Sequence, residues 1–163
     1  HAAGVVAVLL APSTYRLGVD VERRRPQLLR VQTKYLHDDE LPMLLPCIPH
    51  ELTALTLLWS AKEALFKLLQ PPSQSLLDFH LKDFYLLPSA SGRIGLFPSA
   101  PHPALGSSGC SSLATPAQSS PSDFRPISSG LLTFEASSSS SRLVPLSFNL
   151  YDDFLLTYCW TRE

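Results

Sequence analysis

The chain predicts an α+β fold, an antiparallel sheet packed against helices, and three observations carry that prediction. Strand-like segments open the chain, helical segments follow, and strand-like segments close it. Strand and helix do not alternate as a parallel sheet would require. A helical pattern runs unbroken from Glu51 to Gln70, long enough to cover one face of a sheet. The tail, Leu146 to Leu150, then Tyr151-Asp152-Asp153, then Phe154 to Trp160, reads as a terminal hairpin. At 163 residues and 45% apolar, the chain is large enough for one domain with a core.

Taken in order, Gly4 to Leu10 is continuously apolar and predicts a strand buried on both faces, paired in a hairpin with the next segment. Ala11 to Thr14 is its turn. Tyr15 to Glu22 alternates, with Leu17, Val19 and Val21 on one face and Gly18, Asp20 and Glu22 on the other. Pro26 suits the first position of a helix running to about Leu36, with Leu28, Leu29, Val31 and Tyr35 as its packing face. Asp38-Asp39-Glu40 starts a short helix through Leu45, acids at the favourable end. In the long helix Ala54, Leu58, Ala61, Leu65 and Leu68 form one apolar stripe, and Pro71-Pro72 ends it. Phe79 to Leu87 reads as a strand, with Arg93 to Phe97 as a short partner. From Pro88 to Pro145 Ser and Pro dominate, and a disordered Ser/Pro-rich insertion is expected over about 98–145. Gly130 to Glu135 interrupts it, as a strand or as a sticky segment inside the insertion.

Composition removes several function classes. Net charge is −1, so no global basic field points to nucleic acid. Three cysteines, Cys47, Cys110 and Cys159, are odd in number and form no C-x-x-C, which predicts neither a disulfide framework nor a zinc site and favours a reducing, cytoplasmic setting. No apolar run is long enough to span a bilayer, so no membrane role is expected. The chain begins at His1 rather than Met, as a piece of a longer protein would. No dinucleotide, P-loop or nucleophile-elbow motif is present.

What remains is a set of charges. Trp59, Glu63 and Lys67 recur at four-residue steps and form a second helical stripe. On the helix alone, that stripe reads as a solvated face with one Glu–Lys pair and a half-buried Trp. A strand also sets Asp20 and Glu22 side by side, either as a wet acidic edge or as a pair awaiting a cation. Arg23-Arg24-Arg25 is either solvated and compensating or a positive ledge for an acidic partner or phosphate. Asp20, Glu22 and Glu63 together make an oxygen-only set of the kind Mg²⁺ prefers, with Lys62 and Lys67 near enough to hold phosphate charge. Nucleases, kinases and lyases could use the same groups.

Gly18-Val19-Asp20-Val21-Glu22, followed some forty residues on by Trp59-Ser60-Ala61-Lys62-Glu63-Ala64-Leu65-Phe66-Lys67, resembles the two-part signature of the 4′-phosphopantetheinyl transferases of the surfactin/enterobactin-synthetase type. The likeness spans residues 1–87 and 146–163 and implies a single C-terminal half-domain over 1–163, with CoA bound between this half and an upstream one. It implies transfer of phosphopantetheine from coenzyme A to a serine of an acyl or peptidyl carrier protein (holo-[acyl-carrier-protein] synthase activity). Asp20, Glu22 and Glu63 would hold Mg²⁺, and Glu63 would take the serine proton. Lys62, Lys67 and His1 would contact CoA, and Arg23, Arg24 and Arg25 would dock the carrier. A non-catalytic carrier-binding module of the same fold is the alternative.

Overall fold

A computed structural model describes residues 4–71, 73, 75–87, 126–137 and 142–162, all within one compact unit. The strands are β1 (Tyr15–Arg23), β2 (Phe79–Leu87), β3 (Ser128–Ala136), β4 (Arg142–Leu150) and β5 (Phe154–Arg162). They form one antiparallel sheet in the order β1-β5-β4-β3-β2. The helices are α1 (Leu28–Val31), α2 (Glu40–Leu44) and α3 (Glu51–Leu69). The α+β fold expected from the segment order is therefore the fold observed.

The long helix α3 dominates the core. Ala54, Leu57, Leu58, Ala61, Ala64 and Leu65 are wholly buried, and they join Phe79, Leu81, Leu132, Phe134 and Phe148 of the sheet in one cluster. The helix packs across β1 and β5. Its last i→i−4 bond runs from the Gln70 N–H to the Phe66 carbonyl, and the left-handed backbone of Gln70 (φ 47°) then turns the chain out of the helix into Pro71.

The N-terminal run departs from expectation. Gly4 to Leu10 forms no strand of the sheet, and Val6, Val8 and Leu10 are 73%, 72% and 89% exposed. The neighbour of β1 is β5, paired residue for residue from Tyr15↔Arg162 to Arg23↔Phe154. Apolar composition alone does not choose a partner. Here β1 pairs with the C-terminal strand β5 and stands at the edge of the described sheet.

Three further boundaries moved. The helix expected from Pro26 to Leu36 is only α1 and a 3₁₀ turn at Gln32–Lys34, because the chain bends to bury Tyr35. Within the stretch assigned to the insertion, residues 128–136 are β3 and 142–145 begin β4, both interior to the sheet. In β3 the alternation is regular, with Gly130, Leu132, Phe134 and Ala136 buried, so of the two readings of Gly130 to Glu135 the strand is the one observed. Residues 98–125 and 138–141, the Arg93–Phe97 strand, Cys110 and His1 lie outside the described residues.

Candidate active site

The site forms where β1 runs under α3. Gly18 permits the approach: a Cβ there would clash with the Ala64 carbonyl oxygen and sit 3.0 Å from the Cys159 Sγ. Alternation then turns Asp20 and Glu22 to the same side as Gly18, toward the helix rather than to open solvent. The Trp59–Glu63–Lys67 stripe faces them. Trp59 Nε1 donates to Glu22 Oε1 at 3.3 Å, and Lys67 Nζ donates to Asp20 Oδ1 at 2.7 Å and to the Val19 carbonyl at 3.1 Å. The strand and the stripe singled out in the sequence are thus in direct contact.

Burial and like charge act together here. Desolvation raises the Glu63 carboxyl above the usual range; Asp20 and Glu22 add to the rise and Lys67 opposes it. Desolvation also raises Glu22, against the pull of Arg25 and Trp59 and with the push of Asp20. Asp20 Oδ2 is buried with no hydrogen-bond partner. An unpaired buried acceptor costs about 1–3 kcal/mol. The three carboxylates feel one another, yet they do not close into a ligand shell. Among the described residues no group of three His, Cys, Asp or Glu side chains is arranged to hold a metal ion. What couples Asp20, Glu22 and Glu63 here is electrostatic. The oxygen-only donor set and the orphaned Asp20 Oδ2 fit a hard divalent cation. Beside Lys67 a cleft of about 390 Å³ opens, lined by Phe66, Lys67, Gln70 and Pro71.

Other expected residues sit elsewhere. Lys62, expected at the CoA phosphates, is fully buried and paired with Glu40 at 2.7 Å. The helix explains this placement: Lys62 is i+7, i+4, i−3 and i−7 from Leu55, Leu58, Leu65 and Leu69, so it belongs to the inward stripe. That spacing was the signal that could have placed it; Glu40, its partner, carried none. The three arginines are not a uniform ledge. Arg24 is tied down, donating to Thr53 Oγ1 at 2.9 Å, to the Tyr151 carbonyl at 3.1 Å and to the Asp152 carbonyl. Arg25 forks onto Glu22 at 2.7 and 2.8 Å. Arg23 is exposed. Arg24→Ala is accordingly expected to cost about 1–3 kcal/mol in urea denaturation, since its partners are left unpaired, and Arg23→Ala under about 0.5 kcal/mol. Equal losses would contradict the anchoring role.

The family model of the 4′-phosphopantetheinyl transferase superfamily matches residues 16–110, more than half of the chain. The chain belongs to that superfamily. The matched segment takes in nearly all of β1 and the whole of α1, α2, α3 and β2, so the contact between the acidic strand and the Trp–Glu–Lys stripe lies inside it. A comparison with curated proteins finds no match. Membership of this superfamily supports phosphopantetheine transfer as the general class of chemistry. Among the described residues no helix is long and apolar enough to cross a membrane.

Proposed function

We propose that the chain is the C-terminal half-domain of a surfactin/enterobactin-type 4′-phosphopantetheinyl transferase, acting with CoA on a carrier-protein serine. The observation that carries this reading is the pairing of Asp20 with Lys67 and of Glu22 with Trp59, with Glu63 in the field of both acids, within the family-matched segment.

In the reaction the serine Oγ forms a bond to the phosphorus that bears the pantetheine arm. The pyrophosphate P–O bond breaks, and adenosine 3′,5′-bisphosphate leaves. Glu63 would accept the serine proton. It makes no side-chain hydrogen bond among the described residues, and its raised pKa brings its basicity closer to the working range. Asp20, Glu22 and Glu63 would hold Mg²⁺, which when bound neutralises charge on the pyrophosphate. Lys67, beside the cleft, would contact a CoA phosphate as a point charge. Arg23 and Arg25, both exposed, would meet an acidic carrier, while Arg24 holds the strand end in place. A cytoplasmic location belongs to the same reading, and the free thiols of Cys47 and Cys159 are in keeping with it.

The test is to incubate the full-length protein with CoA, Mg²⁺ and an apo carrier protein and to weigh the carrier by mass spectrometry. A gain equal to one phosphopantetheine is expected. No gain across fatty-acid, polyketide and peptide carriers would sink the reading. Carrier binding without that gain would instead support the non-catalytic module.

A further inference from the structure

Glu40 and Lys62 are both completely buried, and each charged group finds at least two partners, on segments distant in sequence. Glu40 Oε2 accepts from Lys62 Nζ at 2.7 Å and from the His37 backbone N–H at 2.8 Å; Oε1 accepts from the Leu81 backbone N–H at 2.7 Å. Lys62 Nζ donates a second bond to the Tyr35 carbonyl at 2.6 Å. Helix α3 is thereby tied to the turn before α2 and to β2. We propose that this pair positions the site: it sets the rotation of α3 about its axis and so aims Glu63 at the acidic face of β1.

Neighbouring residues on a helix point about 100° apart. Fixing Lys62 toward Glu40 therefore fixes Glu63 toward Asp20 and Glu22. The clamp also reaches Trp59. Tyr35, whose carbonyl receives Lys62, sets its ring edge-on to Trp59 with centroids 5.1 Å apart, and Trp59 donates to Glu22. On the other flank of the helix Ser60 Oγ lies 2.9 Å from Thr157 Oγ1 and the Ser60 carbonyl accepts from the same hydroxyl, which ties α3 to β5. Stability is a poor reason for such a pair, because buried ion pairs are often replaceable by apolar side chains at little or no loss. Orientation is the better one. Glu40 becomes a positioning residue, and Lys62 becomes one in place of a phosphate contact.

The inference rests on the transfer reading, and the experiment separates the two. Lys62→Met, Glu40→Gln and the double variant are made in the full-length protein. For each, the Mg²⁺ concentration at half-maximal transfer, the KM for CoA and the rise in melting temperature with Mg²⁺ are measured. Both single variants are expected to raise the Mg²⁺ half-saturation about 10- to 100-fold and to shrink the Mg²⁺-induced melting shift. The KM for CoA should stay within about twofold, and the double variant should be no worse than the worse single, as for residues acting through one clamp. A higher KM for CoA in Lys62→Met with Glu40→Gln unaffected would overturn the proposal in favour of direct phosphate contact. An unchanged Mg²⁺ response in both variants would overturn it as well. If Lys62→Met does not fold, the near-isosteric Glu40→Gln decides alone. If the wild type transfers nothing, the transfer reading fails, and the melting shift with Mg²⁺ still decides the clamp. A wild type with neither response overturns both.

Discussion

Glu63→Gln is expected to lower phosphopantetheine transfer by about 10²- to 10⁴-fold, the usual contribution of a positioned proton acceptor, while making the fold more stable at neutral pH. The two effects have one origin. Glu63 is held in a partly desolvated place against Asp20 and Glu22, so its pKa is raised on folding. A carboxyl of that kind binds its proton more tightly folded than unfolded. Its stabilising contribution is full below the unfolded value, near about pH 4.3, and is lost as the pH climbs through the raised folded value. Above that window Glu63 carries its charge at a cost to the fold, and glutamine removes the cost along with the base. Thermal melting at about pH 7.5 should show the variant above the wild type, and the gap should close near about pH 4. Retained wild-type turnover, or a variant that melts lower at both pH values, would contradict the assignment.

Gly18→Ala should be the most damaging small change on β1. The added methyl meets the backbone carbonyl of Ala64 rather than the end of a flexible side chain. Overpacking of this kind typically costs about 1–3 kcal/mol, and the upper end is expected here because the obstacle is helix backbone. Ala64→Gly should not rescue it, since the clashing atom remains. If the helix yields instead, it moves off β1 and takes Glu63 and Lys67 away from Asp20 and Glu22. Urea denaturation together with CoA-dependent transfer reads both outcomes. A variant with normal stability and normal transfer would show that the close approach is not required.

Much of this arrangement could be read from the residues because it rests on strong periodicity. Glu51 to Leu69 repeats at helical steps, Tyr15 to Arg23 alternates, and a short turn separates β4 from β5, so their existence and type followed from pattern. Periodicity alone left the acidic strand face and the Trp59–Glu63–Lys67 stripe open to reading as wet surfaces; only the two-part motif joined them, and in the fold Lys67 meets Asp20 and Trp59 meets Glu22. Other features depend on pairings distant in sequence. Lys62 needed Glu40, and Arg24 needed the Tyr151 and Asp152 carbonyls, both partners supplied only by the fold. Gly4 to Leu10 misled because a continuous apolar run does not say whether it will find a ladder partner; β1 pairs with β5 and is an edge strand of the described sheet. Strand β3 was left open between a strand and a sticky segment because serine-rich sequence surrounds it; Leu132 and Phe134 at its centre are wholly buried.

The central claim is that the acidic face of β1 and Glu63 of α3 form one cation-dependent unit. Melting temperature against Mg²⁺ concentration, in the wild type and in Asp20→Asn, tests it most directly. A ligand at a hundred times its dissociation constant stabilises the folded state by about 2.7 kcal/mol. The wild type should therefore show a saturating rise with Mg²⁺, and Asp20→Asn should show little or none. A flat wild-type response, or an equal rise in Asp20→Asn, would contradict it.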